Sequence, residues 1–532
     1  MVNNEQQKLK ERILYMTIPG RSPKTLFFAL ALLSGFLIVT INSCKKKRSE
    51  MGQALYKHTH NPAFKDANPE EFAAVFKKVL VVNRSKMSNP DFMSQYYASN
   101  GYEPVFVLNH LWNGDVETMV NYYRKVNEHG LDPKLFKPDH LTAMVSRFKA
   151  AKSSIKTTRE AYYAMAKLEI ALANSLINYS GDLQFGVMNP KKLYSRYFIK
   201  TARPDSLSMG RVFHIEDMHA YLDSIQPKSP EYVALQKAYL DGFVANKMSK
   251  EETRRILLVN MERLRWKNKP AESRYVYVNI PDFHLDVMDS GKSVLGMKVC
   301  VGEGRNKQYL NSLENYNDTC KEDKPFPHET PLLYSVIHSV EVNPVWNIPR
   351  SIATKEIIVQ AADDPYYLSN KGINVYHNDK LVKDPETIDW SKVDPRKDEY
   401  EFKQQPGEQN SLGKIKFLFD NRSSVYLHDT PAKDAFHYSM RAVSHGCVRL
   451  EKPLDLAHSL FRDTTRYNLI AKDMQEDDPT PQDIGLRPKV PVYITYVTCW
   501  ADQDGKLQFR RDVYGQDIVL YDHMKKFLYG NM

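Results

Sequence analysis

Ser444-His445-Gly446-Cys447-Val448-Arg449-Leu450 is the stretch around which this sequence is best interpreted. Glycine allows a tight turn beside the Cys447 thiol, and backbone N–H groups in such a turn can stabilise an oxyanion. His428 lies 19 positions before Cys447, at the end of an apolar run, and can fold back to take the thiol proton. The alternative is a buried cysteine with two unrelated surface histidines, because free cysteine is a common core residue.

The composition is that of a folded protein with several domains. The chain has 532 residues, of which 42% are hydrophobic and 26% are charged. The net charge is +10, but the Lys and Arg residues are scattered among 64 acidic residues. No motif that reads RNA or DNA is present. We therefore expect no nucleic-acid partner, and a basic surface suits an anionic membrane or wall equally well.

An apolar run near the N-terminus predicts export and a membrane tether. Leu26 to Ile41 is preceded by Arg21 and Lys24, and its length lies between that of a signal-peptide core and that of a spanning helix. The run ends in Ile41-Asn42-Ser43-Cys44, which resembles a bacterial lipoprotein signal with Cys44 as the lipidated residue. Asn42 departs from that pattern, so an uncleaved anchor facing the periplasm is the alternative.

The cysteines favour no metal site. Five are present, and none shows a CxxC or Cys/His ligand spacing, so we expect no metal and no cofactor. Cys300 and Cys320 can pair in an oxidising compartment, although the sequence leaves this open. Cys499 follows a strand-like run and is interpreted as a core residue.

The hydrophobic period changes near Ala271, which predicts an α+β protein. Helical spacing dominates from Glu50 to Trp266, and its clearest helix is predicted from Arg159 to Tyr179, ending at Gly181. The domains expected are a signal segment at 1–48 with its anchor at 26–41, a helical scaffold at 49–270, a β-rich domain at 271–520 and a tail at 521–532.

The β-rich domain contains several predicted strands and one long polar segment. Residues 361–409 carry Tyr366, Tyr367 and Trp390, and this segment either caps a substrate groove or forms a surface insertion with its own small core. The predicted strands cover residues 275–280, 295–302, 334–342, 415–419, 424–427 and 492–498.

These features together resemble the L,D-transpeptidases with a YkuD-type catalytic domain, in the branch that carries a long scaffold. That family has a histidine, a spacer, and then Ser/Thr-His-Gly-Cys followed by an aliphatic residue and Asn or Arg, which matches His428 and residues 444–449. The likeness extends to 342–349, 405–413, 260–263 and 179–186. Many relatives also carry a small peptidoglycan-binding module before the catalytic domain, and this chain has no room for it between Tyr239 and Glu251.

The resemblance implies roles for the residues of the motif. Cys447 is the expected nucleophile, and His428 is the expected base and later acid. Asp429 is expected to orient the imidazole through its backbone or its side chain. Ser444, His445 and Gly446 are expected to shape the turn, with N–H groups around Gly446 and Cys447 as the oxyanion hole. A second set is expected to bind substrate: Arg449, Tyr426 and Trp346, with local structural roles as the alternative.

The implied reaction is acyl transfer between peptidoglycan stem peptides through a thioester, giving 3→3 cross-links, with sensitivity to carbapenems. The first alternative is an L,D-carboxypeptidase or a transferase that attaches protein to the wall. The second is a non-catalytic wall-binding lipoprotein in which the helical region does the work. The identity of the acceptor separates the first alternative from cross-linking, and labelling of Cys447 separates the second.

Overall fold

The computed structural model describes residues 49–150, 154–304, 322–395, 397, 400–476 and 479–530. The predicted anchor, Cys44 and Cys320 lie outside these residues. Within the described ranges, no helix combines the length and the apolar character needed to cross a membrane.

The region from Glu50 to Arg265 is mostly helical, and side chains suited to capping precede most of its helices. The sequence Asn68-Pro69-Glu70-Glu71 predicts a helix start, since it combines an N-cap residue, a first-turn proline and acidic residues. In the structure, the Asn68 side chain accepts from the N–H groups of Glu70 and Glu71, and Pro69 lies in the first turn. The helices here are α1 (Glu50–Thr59), α2 (Pro62–Lys65), α3 (Pro69–Asn83), α4 (Pro90–Ser99), α5 (Val105–Asn109), α6 (Asp115–Arg124), α7 (Pro138–Lys149), α8 (Thr158–Phe185), α9 (Pro190–Leu193), α10 (Ser206–Gly210), α11 (Met218–Ser224), α12 (Pro230–Leu240) and α13 (Lys250–Arg265).

Helix α8 is longer than the sequence predicts. The predicted end at Gly181 is wrong, because the helix continues to Phe185 and Gly186 provides the C-cap. Leu183 of the extra turn is buried in the helical core. Packing of this turn outweighs the cost of about 1 kcal/mol that a glycine imposes inside a helix.

Residues 274–495, together with one short strand at Tyr197–Phe198, form a large sheet that closes on itself. The strands of the chain are β1 (Tyr197–Phe198), β2 (Arg274–Asn279), β3 (His284–Asp289), β4 (Lys292–Gly302), β5 (Leu332–Val342), β6 (Trp346–Asn347), β7 (Ile373–His377), β8 (Lys380–Leu381), β9 (Tyr400–Gln404), β10 (Ile415–Phe419), β11 (Leu427–His428), β12 (Ala442–Ser444), β13 (Val448–Leu450), β14 (Gln482–Thr495), β15 (Cys499–Ala501) and β16 (Leu507–Phe509). In the large sheet, neighbouring strands follow the order β1-β5-β10-β11-β13-β4-β3-β2-β14, β14 also pairs with β5, and β12 pairs with β4.

The strand predicted at 424–427 is shifted in the structure. The paired strand is Leu427–His428, whereas residues 422–426 form a turn and an unpaired approach to it. The Asn421 side chain accepts from the N–H groups of Ser423 and Val425, which keeps this segment out of the sheet. His428 therefore belongs to the strand rather than following it.

Helices α12 and α13 pack against the sheet and share its hydrophobic core. On α13, Glu262 is fully buried and pairs with Arg265 at 2.7 Å. The same carboxylate accepts from the Met188 N–H at 2.8 Å and from Trp266 Nε1 at 3.1 Å. This one side chain therefore ties α13 to the segment that follows α8.

Residues 346–404 form an insertion between β5 and β10. The insertion has its own sheet, in the order β6-β9-β7-β8, and its own core, which includes Val375, Trp390 and Phe402. It starts earlier than the predicted segment at 361. The helices of this second half of the chain are α14 (Arg350–Ile352), continued by a π-helical turn (Ala353–Ile357), α15 (Ile358–Asp363), α16 (Tyr367–Asn370), α17 (Pro453–Leu460), α18 (Thr464–Asp473) and α19 (Gln516–Met524).

Candidate active site

Strand pairing brings the predicted nucleophile and base to the same part of the sheet. β11 and β13 run parallel, with Leu427 opposite Val448 and His428 opposite Arg449. Cys447 comes directly before β13, and the Val448 N–H donates to the Tyr426 carbonyl at 3.1 Å. The segment between His428 and Cys447 therefore connects two strands that pair with each other.

Hydrogen bonds from Ser444 and Thr330 fix the turn that carries Cys447. The Ser444 hydroxyl donates to the Cys447 carbonyl at 2.6 Å and accepts from the Gly446 N–H at 3.2 Å. The Thr330 hydroxyl donates to the Gly446 carbonyl at 2.8 Å. Gly446 has φ = 117°, a conformation that favours glycine strongly. Ser444 thus shapes the turn, and the Gly446 N–H is engaged by it.

His428 is buried and held in one tautomer. Its Nδ1 lies 2.5 Å from the Asp429 carbonyl oxygen, so Nδ1 carries the hydrogen and Nε2 is the nitrogen without one. A main-chain hydrogen bond with Leu412 also acts on the ring and raises its pKa. Burial, together with the charge of Arg449, lowers the pKa of His428 to about 4. The imidazole is therefore neutral at physiological pH and competent as a base.

The Asp429 side chain points to other partners. It accepts from the Lys414 N–H at 2.9 Å and pairs with the Lys433 ammonium at 2.5 Å. Of the two routes by which Asp429 was expected to orient His428, the structure therefore uses the main-chain carbonyl. The carboxylate instead fastens the start of β10 to the residues after β11.

Cys447 is partly buried, and burial raises the pKa of its thiol to about 11. Hydrogen bonds from Tyr426 and the charges of Arg449 and Lys416 act in the opposite direction. Because His428 is a weak base here and the thiol a weak acid, the resting pair is neutral rather than a thiolate–imidazolium pair.

The two aromatic residues assigned to the groove lie on different parts of the structure. Tyr426 is partly buried beside Cys447, and its ring lies 5.5 Å from the Lys416 ammonium. Lys416 pairs with Glu341 at 2.7 Å. Trp346 belongs to β6 of the insertion and hydrogen-bonds with Tyr426. The insertion and the sheet therefore meet at Tyr426, next to the thiol.

Arg449 occupies a central position in the sheet. Its residue partners are His428 on β11 and Cys300 on β4. Cys300 and Cys499 are both buried, and neither has a disulfide partner among the residues that the structure describes. The Arg449 Nε is buried and, among the described residues, has no hydrogen-bond partner. A guanidinium with an unsatisfied donor can still bind an anion.

His445 contacts Glu356 and His328, which come from two distant segments of the chain. Its Nε2 lies 2.6 Å from Glu356 of the insertion, and its ring centroid lies 4.6 Å from that of His328. His328 in turn lies 3.0 Å from Glu303. No local pattern marks these residues, because they come from segments far apart in the chain. His437, interpreted as a surface residue, is exposed.

The raised pKa of Cys447 gives a direct prediction. A thiol with a pKa of about 11 is protonated throughout the neutral range, and only its thiolate is alkylated. We therefore expect the rate of iodoacetamide labelling at Cys447 to rise roughly tenfold per pH unit from pH ~8 to ~10. Peptide mass spectrometry with quenched time points measures this rate. A rate that is already constant from pH ~6 to ~8 would show a preformed thiolate and contradict the prediction.

Comparison with known families agrees with this geometry. Residues 273–467 match the family model described as the L,D-transpeptidase catalytic domain (YkuD). The chain carries an L,D-transpeptidase catalytic domain. Residues 91–238, ahead of this domain, match the family model described as a scaffold domain. The family resemblance drawn from the His428 and Cys447 motif is thus confirmed, as is the α+β class with a helical region followed by a β-rich one.

One curated relative and one solved structure are similar to parts of the chain. A Haemophilus influenzae protein described as "Putative L,D-transpeptidase" is 28% identical over 348 residues, which cover 63% of this chain and 64% of that protein. The match thus spans less than two thirds of the relative. The structure of the Ldtfm–avibactam carbamoyl enzyme covers 42% of this chain and 49% of its own, at 12% identity and a TM-score of 0.18. That score is too low to support a conclusion about this chain.

Proposed function

We propose that this protein is a cysteine L,D-transpeptidase that forms 3→3 cross-links between peptidoglycan stem peptides. The observation that carries the proposal is the placement of Cys447 in a constrained turn between Tyr426 and Arg449, one strand from the neutral base His428. Its position inside an L,D-transpeptidase domain supports the same assignment. No cofactor enters the reaction.

The first half-reaction acylates Cys447. Nε2 of His428 takes the thiol proton as sulfur attacks the carbonyl carbon of the third residue of a donor tetrapeptide. The C–N bond to D-alanine then breaks, and His428 returns the proton to the leaving amine. His428 starts and ends this step neutral, which agrees with its low pKa of about 4.

The oxyanion that forms on the carbonyl needs hydrogen-bond donors. Because the Gly446 N–H donates to Ser444, we assign this role to the Cys447 N–H rather than to both neighbouring amides. Such a donor stabilises the transition state by about 3–4 kcal/mol. Ser444 and Gly446 then contribute by holding the turn in the conformation that presents this N–H.

Arg449 and the aromatic residues are assigned to substrate binding. The guanidinium of the partly exposed Arg449 side chain suits the terminal carboxylate of the donor peptide. Tyr426 and Trp346, which meet where the insertion contacts the sheet, flank the bound peptide in this proposal. Carbapenems, as acylating analogues of the donor, are expected to modify Cys447.

The proposed substrate lies outside the cytoplasmic membrane. The apolar run at 26–41 and the Cys44 signal support export and tethering of the chain at the periplasmic face of the membrane. Fractionation of cells that express the full chain tests this location, and recovery of the protein in the cytoplasm would contradict it.

An assay with isolated muropeptides tests the activity. We expect the purified full chain, incubated with disaccharide tetrapeptides, to release D-alanine and to form cross-linked dimers that mass spectrometry identifies as 3→3 linked. Tripeptides without dimers would instead indicate an L,D-carboxypeptidase. Unchanged tetrapeptides, with binding to isolated wall retained, would indicate a non-catalytic wall-binding protein.

A further inference from the structure

Two Glu–His pairs meet beside the turn that carries Cys447. Nε2 of His445 lies 2.6 Å from Glu356, and Nδ1 of His328 lies 3.0 Å from Glu303. The two imidazole rings are in contact, with centroids 4.6 Å apart. We call these four residues the Glu–His cluster. They come from the end of β4, the segment before β5, the insertion and the Cys447 turn.

Close backbone packing holds the cluster against the Cys447 turn. A Cβ added at Gly302 would lie 1.8 Å from the His328 carbonyl oxygen and 3.0 Å from Gly446 Cα, so three main-chain segments meet there. The Thr330 hydroxyl joins two of these segments, since it accepts from the Gly302 N–H and donates to the Gly446 carbonyl, both at 2.8 Å. The position of the cluster beside the Cys447 turn is therefore fixed by the fold.

The cluster is open to solvent and rich in negative charge. The exposed side-chain fractions are 57% for Glu303 and 45% for Glu356, against 22% for His328 and 30% for His445. Ion pairs as exposed as these stabilise a fold by only about 0–1 kcal/mol, so stability alone does not account for the convergence of four segments. Two carboxylates beside two imidazoles favour a cationic ligand.

On the basis of the function proposed above, we propose that the Glu–His cluster is the subsite for the acceptor amine. Glu303 and Glu356 bind the side-chain ammonium of the acceptor stem peptide, and His445 removes a proton from it. The pair of His445 and Glu356 has the arrangement of a general base oriented by a carboxylate. The cluster thereby separates the acceptor side of the reaction from the donor side, which His428 serves.

The acceptor needs a base of its own because an alkyl amine, with a pKa of ~10.4, arrives protonated and has no free electron pair. His445 accepts one proton from the ammonium, and the resulting amine attacks the carbonyl carbon of the Cys447 thioester. The second nitrogen proton passes through His428 to sulfur as the C–S bond breaks. The products are the new amide, a neutral thiol and one proton on His445, which is released to solvent.

The two half-reactions can be measured separately in the full chain. With disaccharide tetrapeptide as both donor and acceptor, the initial burst of D-alanine reports acylation, and the ratio of dimers to tripeptides reports transfer to the amine rather than to water. We expect Glu303→Gln and Glu356→Gln to lower this ratio about tenfold and His445→Gln about a hundredfold. In the two glutamate variants, the D-alanine burst should stay within about twofold of the wild type.

Glu386→Gln and His437→Gln are matched controls, since both residues are exposed and lie outside the cluster. Both should leave the ratio unchanged. An equal fall of the D-alanine burst and of the ratio of dimers to tripeptides in the cluster variants would mean that the Glu–His pairs only hold the turn. An unchanged ratio would mean that the pairs do not bind the acceptor. Either result overturns the inference. A wild type without any thioester would instead contradict the proposed function.

Discussion

Replacing Cys447 with alanine is expected to abolish acyl transfer and covalent carbapenem labelling while leaving the fold intact. The thiol supplies the only atom that forms the proposed thioester, and removal of a catalytic nucleophile lowers kcat on the order of 10⁶-fold. The side chain is small and partly buried, and its loss leaves the bonds of Ser444 to the turn in place. Mass spectrometry of the intact protein after incubation with a carbapenem measures the adduct directly.

Cys499→Ala is the matched control for this variant. Cys499 is also a free cysteine, and it is 1% exposed in the core. It should retain the adduct and form cross-links at a rate close to that of the wild type. An adduct of unchanged stoichiometry in Cys447→Ala would refute the assignment of the nucleophile.

The second large effect is expected at Glu262, far from any proposed chemistry. Replacing it with alanine leaves Arg265, whose side chain is 1% exposed, without its buried partner, and also removes the acceptor of the Met188 and Trp266 N–H groups. Breaking a buried ion pair in this way costs about 3–5 kcal/mol. We expect the free energy of unfolding, measured by urea titration, to fall by about that amount.

Glu251→Ala tests whether burial is the cause. Glu251 lies on the same helix and pairs with Arg255 at 2.8 Å, but these side chains are 40% and 24% exposed. An exposed pair contributes about 0–1 kcal/mol, so this variant should be nearly as stable as the wild type. Comparable losses in the two variants would show that the helix, rather than the buried charge, limits stability.

The features that could be predicted from the sequence are those that depend on residues close together in the chain. The motif of His428 and Cys447 predicts a YkuD-type catalytic domain, which the family comparison confirms, and the capping pattern of Asn68 predicts the start of α3, as observed. Both depend on contacts within a short segment or on a motif with one known arrangement. The roles assigned to these site residues remain proposals.

The structural features that could not be predicted from the sequence depend on contacts between distant segments of the chain. Gly181 is a residue type that often ends a helix. The helix nevertheless continues four residues further, to Phe185, because residues such as Leu183 are buried. Glu356 is one acidic residue among many in a polar insertion, and only the fold brings it within 2.6 Å of His445. Neither outcome leaves a periodic signal in the local sequence.

The insertion leaves the sheet and returns to it at one place, between two strands that pair with each other. Its ends join β5 and β10, which pair directly at Val342 and Ile415, and the Asn343 N–H donates to the Lys414 carbonyl at 2.8 Å just beyond that pair. A segment that departs and returns through one closed stem can be lengthened, shortened or exchanged without a break in the strands that carry Cys447 and His428. Evolution can therefore change which amines reach the proposed thioester while the strands beside Cys447 and His428 stay the same.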